Sequence, residues 1–148
     1  MKMIRLLIAD DHEALRAALR SVLAREPDID IVAEACDGEQ ALVLVRQLLP
    51  DLVLMDIAMP LLDGIEATRL VIAQHPSVKV LGHSSHLARR LVRQMLANGA
   101  LGYISKSAGR GELLQAVRSV AAGRSFLCQE TAALMAQAGP MSHFSPLA

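Results

Sequence analysis

Short apolar runs alternate with longer stretches of helical periodicity along most of this chain. Short runs that are rich in apolar residues, without a polar face, are typical of strands covered on both sides of a sheet. The runs occupy residues 4–9, 29–35, 52–57, 78–81 and 103–105. The pattern therefore predicts five strands.

The segments between and after these runs have apolar residues at helical spacing. Leu15, Leu19 and Leu23 share one face of the first such segment. Glycine or proline follows the segments, as Gly99 does, and ends the predicted helices. We predict helices over 11–25, 39–49, 65–74, 87–97 and 112–122, and a further short helix over 129–137.

The regular alternation of strands and helices predicts the fold class. It favours a doubly wound α/β fold: a five-stranded parallel sheet with right-handed crossovers and helices on both faces. Periodicity alone leaves the strand order open. The pattern predicts one domain over residues 3–123, followed by a linker or C-terminal tail over 124–148 that contains a Gly-Pro break.

Composition excludes several classes of protein. With 53% hydrophobic and 20% charged residues the chain is expected to be globular. Its 15 basic and 15 acidic residues balance, which argues against nucleic-acid binding through bulk charge. No apolar run approaches the roughly 20 residues of a membrane span, and no signal peptide is evident, so we expect a cytoplasmic protein without membrane association. Cys36 and Cys128 lack metal-ligand spacing and are expected to be buried, reduced thiols.

Polar residues lie at or just beyond the carboxyl ends of the predicted strands: Asp10 and Asp11, Asp56, Ser84, and Lys106. In an open parallel sheet, ligands bind outside the carboxyl ends of the strands, so these side chains are expected to converge. Carboxylates are preferred ligands of Mg²⁺, and a carboxylate can itself attack phosphorus to form an aspartyl phosphate. A lysine and a hydroxyl can then hold the phosphoryl oxygens. The pattern therefore indicates Mg²⁺-dependent phosphoryl chemistry.

Four motifs at this edge resemble the receiver domain family of two-component response regulators. They are LLIADD at 6–11, DLVLMDIAMP at 51–60, Asp63-Gly64, and GYISK at 102–106. All four occur in the family's order, and the resemblance covers about residues 3–123. It implies a flavodoxin-like fold with strand order 2-1-3-4-5.

The resemblance also implies a role for each acidic residue. Asp56 would be the phosphoacceptor. Asp11 would bind Mg²⁺ directly, Asp10 directly or through water, and Asp56 together with the backbone carbonyl of Ala58 would complete the protein ligands.

For the remaining residues, the resemblance implies a switch. Lys106 would bind the phosphoryl group, and Ser84 would be the switch hydroxyl, with Ser85 as a fallback. Tyr103 would be the aromatic residue that moves inward when the hydroxyl is recruited. Receivers of this family accept the phosphoryl group from a sensor histidine kinase or a small phosphodonor. They catalyse their own phosphorylation and slow dephosphorylation, and are not enzymes in any other sense.

Residues 97–106 are most similar to the NarL/FixJ (LuxR-type) subgroup. Its members carry a C-terminal helix-turn-helix domain, so DNA binding and control of transcription are implied only for a longer parent protein. The resemblance also implies homodimerisation on phosphorylation. The dimer would form through the face of the fourth helix, fifth strand and fifth helix, or through the first and fifth helices.

Two residues depart from the family pattern. Gly82 weakens a strand, and His83 is polar where an apolar residue is usual, so the geometry of Ser84 and its switching are open. A stand-alone or degenerate receiver, acting as a phosphorylation-independent interaction module, is therefore the alternative. A Mg²⁺-dependent phosphohydrolase is a further one, although such enzymes commonly need Asp-x-Asp rather than adjacent Asp10 and Asp11.

Overall fold

The computed structural model describes residues 2–137 of the chain. Its strands are β1 (Ile4–Ala9), β2 (Ile29–Ala35), β3 (Leu52–Met55), β4 (Lys79–Ser84), β5 (Gly102–Ser105) and β6 (Phe126–Leu127). Its helices are α1 (Glu13–Leu23), α2 (Gly38–Leu48), α3 (Gly64–Gln74), α4 (Arg89–Ala97), α5 (Arg110–Ala121) and α6 (Gln129–Ala136). The end of the predicted tail, residues 138–148, lies outside the described residues.

All strands pair in parallel in one sheet of order β2-β1-β3-β4-β5-β6. The doubly wound fold and the order of the first five strands are therefore confirmed. The predicted number of five strands is wrong, because β6 adds to β5 with Phe126 beside Gly102 and Leu127 beside Tyr103. A pair of residues is too short to give a periodicity signal, and β6 becomes a strand only because β5 offers it a free edge.

The inner strands of the sheet, β1, β3, β4 and β5, are largely buried on both faces, which explains their nearly unbroken apolar runs. Leu7 and Ala9 of β1 face the core formed with α2, α3 and α4. Leu6 and Ile8 face the opposite core, formed with α1 and α5. With helices covering both faces, the rim at the carboxyl ends of the strands is left open for a functional site.

β4 is longer than predicted because Gly82 and His83 belong to it. The register pairs Gly82 with Tyr103 and Ser84 with Ser105. A Cβ atom on Gly82 would lie 2.8 Å from Cδ2 of the Tyr103 ring, so the glycine makes room for that buried ring. His83 is buried as well. The departure from the family pattern therefore leaves β4 intact up to Ser84.

Two further expectations concern membrane-spanning helices and the two cysteines. Among residues 2–137, no helix has the length and apolar character needed to cross a membrane. Both cysteines are free thiols, and Cys128 is buried as expected. The expectation is wrong for Cys36, which is exposed because it follows the last residue of β2, where the chain leaves the sheet.

Candidate functional site

The acidic residues of the site are held by the backbone of the sheet. Asp10 follows β1 and donates its N–H to the carbonyl of Ala35 at 3.0 Å. Asp56 follows β3 and donates its N–H to the carbonyl of Ala9 at 2.9 Å. Both side chains are buried, whereas Asp11 is exposed. The carboxyl ends of the neighbouring strands β1 and β3 thus fix two carboxylates side by side at the rim.

Lys106 bridges these two carboxylates. Its Nζ lies 2.7 Å from Oδ2 of Asp10 and 3.2 Å from Oδ2 of Asp56. Its backbone N–H donates to the carbonyl of Ser84 at 3.0 Å, which continues the ladder between β4 and β5. The structure therefore brings the acidic residues and the lysine together and places Ser84 beside Lys106 through the backbone of the β4–β5 pair.

Four residues at this rim form a set of potential metal ligands. One ligand atom from each of Asp10, Asp11, His12 and Asp56 lies within 4.8 Å of the others. Sequence reasoning did not find His12, the residue before the first turn of α1. Its backbone N–H donates to Oδ1 of Asp10 at 2.8 Å, and its Nδ1 lies 3.0 Å from Oδ1 of Asp11. Its place directly after the acidic pair was the available signal.

Arg16 is a second residue that sequence reasoning missed. Its Nη1 donates to the backbone carbonyl of Asp10 at 2.5 Å, and its Nε donates to Oε1 of Glu34 at 3.2 Å. Because the acceptor at Asp10 is a backbone oxygen, no pattern of side chains pointed to this contact. Arg16 therefore holds Asp10 from the α1 side.

The surroundings of Asp10 and Asp56 shift the pKa values of these two buried carboxyl groups in opposite directions. Burial raises the pKa of Asp56, and the nearby charge of Asp10 raises it further against the opposing effect of Lys106. Burial also acts on Asp10, but the Lys106 ammonium and the His12 N–H outweigh it and hold the pKa of Asp10 below its usual value. Asp10 is thus the better stabilised carboxylate.

The pKa of Lys106 is raised and that of His83 is lowered. Burial disfavours the charged form of Lys106, yet Asp10 and Asp56 outweigh it and raise the pKa of the ammonium. Burial lowers the pKa of His83 to about 4, and the charge of Lys106 adds to the effect. Near neutral pH, Lys106 is therefore a cation and His83 is neutral.

Ser84 and Tyr103 meet through the backbone of His86. The buried Oγ of Ser84 accepts the N–H of His86 at 2.9 Å, and the hydroxyl of Tyr103 donates to the carbonyl of His86 at 2.8 Å. The Ser84 hydroxyl retains its own hydrogen as a donor. The Tyr103 ring is fully buried here. The proposed movement of this ring stays a prediction, as does the fallback role of Ser85.

The loop between β3 and α3 adds the remaining predicted group. The N–H of Ala58 stabilises the Asp56 carboxylate. The side chain of Asp63 caps α3 by accepting the N–H of Glu66 at 2.9 Å. A Cβ atom on Gly64 would lie 1.9 Å from the backbone oxygen of Asp56, so only glycine lets α3 begin this close to the site. The ligand role of the Ala58 carbonyl stays a prediction.

The residues present fit a hard divalent cation. Oδ2 of Asp10 is buried, and no group within residues 2–137 donates a well-directed hydrogen bond to it; its close neighbour is the ammonium of Lys106. The donor set consists mainly of carboxylate oxygens from Asp10, Asp11 and Asp56, which Mg²⁺ prefers to nitrogen. A cation would also relieve the repulsion among these carboxylates.

Comparisons with known proteins agree with this geometry. The model of the response regulator receiver domain family matches residues 6–118. The transcriptional regulatory protein DegU of Brevibacillus brevis is 42% identical over 124 residues, which cover 84% of this chain and 52% of that protein. The chain thus spans about half of the length of this curated relative.

Two solved structures have the same fold at 33% and 34% identity. A LuxR-family response regulator from Aurantimonas sp. superposes with a TM-score of 0.89 over 93% of this chain and 99% of its own. The signal receiver domain of the putative response regulator NarL from Mycobacterium tuberculosis gives a TM-score of 0.81 over 84% and 100%. The chain belongs to the response regulator receiver domain family of two-component systems, and these relatives identify it with the NarL/FixJ-type subgroup.

Proposed function

We propose that this receiver is a signalling switch that accepts a phosphoryl group on Asp56. The observation that carries the proposal is the meeting of Asp10, Asp56 and Lys106, with the lysine ammonium 2.7 Å and 3.2 Å from the two carboxylates. Taking a partly buried cation and two buried carboxylates out of water costs free energy, and such clusters occur preferentially at functional sites; a phosphoryl group on Asp56 would use this cation.

The chemistry of the transfer follows from the groups present. An oxygen of the Asp56 carboxylate attacks phosphorus, and the bond from phosphorus to the donor breaks. The leaving group is the imidazole of a phosphohistidine or the carboxylate of an acyl phosphate. Lys106 compensates the charge on the phosphoryl oxygens, and the Ser84 hydroxyl donates its hydrogen to one of them. Attack of water on the acyl phosphate later returns Asp56 and inorganic phosphate.

Asp10, Asp11 and Asp56, with the backbone carbonyl of Ala58, would hold Mg²⁺ in this site. When bound, the ion supplies positive charge that neutralises the carboxylates and the incoming phosphoryl oxygens. The protein's own contribution is to keep Asp10 fixed, through the N–H of His12 and the guanidinium of Arg16.

The conformational change that follows phosphorylation is proposed to start at the loop after β4. Recruitment of Ser84 to a phosphoryl oxygen would turn its hydroxyl away from the His86 N–H that it accepts, and the His86 carbonyl also accepts the Tyr103 hydroxyl. A change at Ser84 is thus passed to the loop before α4 and to the packing of Tyr103. Such a local change biases two states of the domain's surface.

The partners follow from the relatives. We propose a sensor histidine kinase as donor, homodimerisation on phosphorylation, and control of transcription by a longer protein through a C-terminal DNA-binding domain. DegU is named a transcriptional regulatory protein, and this chain spans 52% of it. The boundary between a receiver at 3–123 and a linker at 124–148 stays a prediction.

The test is phosphorylation by acetyl phosphate with Mg²⁺, followed by the intact mass of the protein. The wild type should gain the mass of one phosphoryl group, and chelation of Mg²⁺ should prevent the gain. Asp56→Asn should abolish it, whereas Asp30→Asn, at an exposed position of β2, should leave it unchanged. A wild type that gains no phosphoryl group under these conditions would favour the phosphorylation-independent interaction module.

A further inference from the structure

β6 and α6 fold back onto the rim that carries the phosphorylation site. Phe126 donates its N–H to the carbonyl of Leu101 at 3.1 Å, which attaches β6 to the β5 edge. Leu127, Leu134 and Met135 then pack against the core that contains Tyr103. We call residues 126–136 the C-terminal segment. None of the roles proposed above involves it.

The C-terminal segment is bonded to the turn that carries Lys106. The turn closes where the N–H of Ala108 donates to the carbonyl of Ser105 at 3.0 Å. Ser107 donates its hydroxyl to Oε1 of Glu130 at 3.0 Å and lies 2.7 Å from the hydroxyl of Ser105. The N–H of Ser105 in turn points to the buried sulfur of Cys128 at 3.4 Å. Both residues that flank Lys106 are thus held by the C-terminal segment.

Helix α6 of the C-terminal segment also lies near the loop that follows Ser84. Leu87 of this loop and Leu134 of α6 line one surface cavity, together with Glu130. The N-terminus of α6 is fixed separately, because the N–H of Gln129 donates to Oε2 of Glu112 at 2.8 Å. α6 therefore lies beside the turn that carries Lys106 and shares a surface cavity with the loop that follows Ser84.

We propose that Glu130 is a positioning residue for phosphotransfer: through Ser107 it fixes the turn that places Lys106, so docking of α6 is coupled to phosphorylation of Asp56. This inference rests on the proposed function of the site. Phosphotransfer needs the lysine charge at a fixed place, and small displacements of a positioned group cost rate. Lys106 is on a short turn, and the serines beside it supply the side-chain hydrogen bonds that hold that turn.

The experiment compares initial phosphorylation rates with acetyl phosphate over a series of Mg²⁺ concentrations. Glu130→Ala removes the acceptor and should lower the maximal rate roughly three- to tenfold, as expected for the loss of one hydrogen bond. The Mg²⁺ concentration for half-maximal rate should stay unchanged, because Glu130 does not touch the carboxylates. Glu130→Gln keeps an acceptor oxygen and should retain the wild-type rate.

The controls separate positioning from general damage. Glu39→Ala removes the same charge from an exposed position of α2 and should have no effect. Ser107→Ala breaks the same bond from the turn and leaves α6 intact, so it decides the outcome if Glu130→Ala does not fold. Wild-type rates in a folded Glu130→Ala or Ser107→Ala protein would overturn the inference, as would an equal loss in Glu130→Gln. If the wild type itself is not phosphorylated, the function proposed for Asp56 fails first.

Discussion

Gly82 decides how Tyr103 packs. Across the β4–β5 pair, the missing side chain of Gly82 leaves space for the ring of Tyr103, and the end of the Met95 side chain lies on the same side. The burial of Tyr103 and its bond to His86 therefore depend on a glycine, which a pattern of strand propensities counts only as a weakness.

Gly82→Ala is expected to destabilise the domain by about 1–3 kcal/mol, the usual range for overpacking a core. The added Cβ would lie 2.8 Å from the Tyr103 ring and 3.2 Å from Cε of Met95, so the ring must shift from its packed position. Urea unfolding measures the stability. The chain has one tyrosine and no tryptophan, so tyrosine fluorescence reports on this ring alone.

Gly111→Ala is the matched control for this substitution. Nothing lies within 4 Å of its added Cβ in the first turn of α5, so a gain of about 0.5–1 kcal/mol is expected from helix propensity. If both alanine variants have the stability and tyrosine emission of the wild type, the argument from close packing is wrong.

His83 should make stability depend on pH in the mildly acidic range. Its folded pKa of about 4 lies below the ordinary value of 6.5, so the unfolded chain binds the proton more readily. The contribution of His83 is complete above pH 6.5 and is lost as the pH falls towards 4, by up to about 1.4 kcal/mol per pH unit. Urea unfolding between pH 7.5 and pH 4.5 measures this slope.

His83→Leu removes the titrating group while keeping an apolar side chain in β4. Its stability relative to the wild type should rise as the pH falls below 6.5 and should stay constant above pH 7. Parallel pH profiles for the two proteins would contradict the assignment of the slope to His83.

At the scale of elements, the sequence predicts those whose pattern is long enough and misjudges those that depend on a neighbour. β1 and β2 were predicted with their observed bounds. β4 was predicted to end at residue 81 because Gly82 and His83 interrupt the apolar run, yet pairing with β5 carries it to Ser84. β6 depends even more on its neighbour, since its two residues pair with nothing except the edge of β5 in the described chain.

Some residues of the candidate site could likewise be predicted from the sequence pattern, and others could not. Asp10, Asp56 and Lys106 could be predicted because parallel strands bring their carboxyl ends to one rim. Arg16 could not, because its bond ends on the backbone carbonyl of Asp10. His12 offered one signal, its place directly after the acidic pair, but only the structure brings its imidazole to Asp11. Contacts that end on backbone atoms leave no signature in the pattern of side chains.

At the scale of the whole molecule, the carboxylates at the rim repel one another, and a bound cation would reduce this repulsion. The formal charges of the chain cancel, with 15 basic and 15 acidic residues, but those at the rim do not. Three carboxyl groups lie there with Lys106 as their close cation among residues 2–137. Folding has to assemble this cluster, so a ligand that binds only the folded cluster should stabilise the entire domain.

Mg²⁺ should therefore raise the stability of the whole domain. Above the dissociation constant, each tenfold increase in free Mg²⁺ is expected to add about 1.4 kcal/mol to the free energy of unfolding, and chelation should remove the gain. Thermal unfolding followed by circular dichroism measures the effect without any phosphodonor. Asp11→Asn should reduce the dependence on Mg²⁺ while sparing the fold, because Asp11 is exposed and outside the core. An equal rise in melting temperature for wild type and Asp11→Asn would mean that the ion acts elsewhere on the protein, and the acidic rim would lose its role as the metal site.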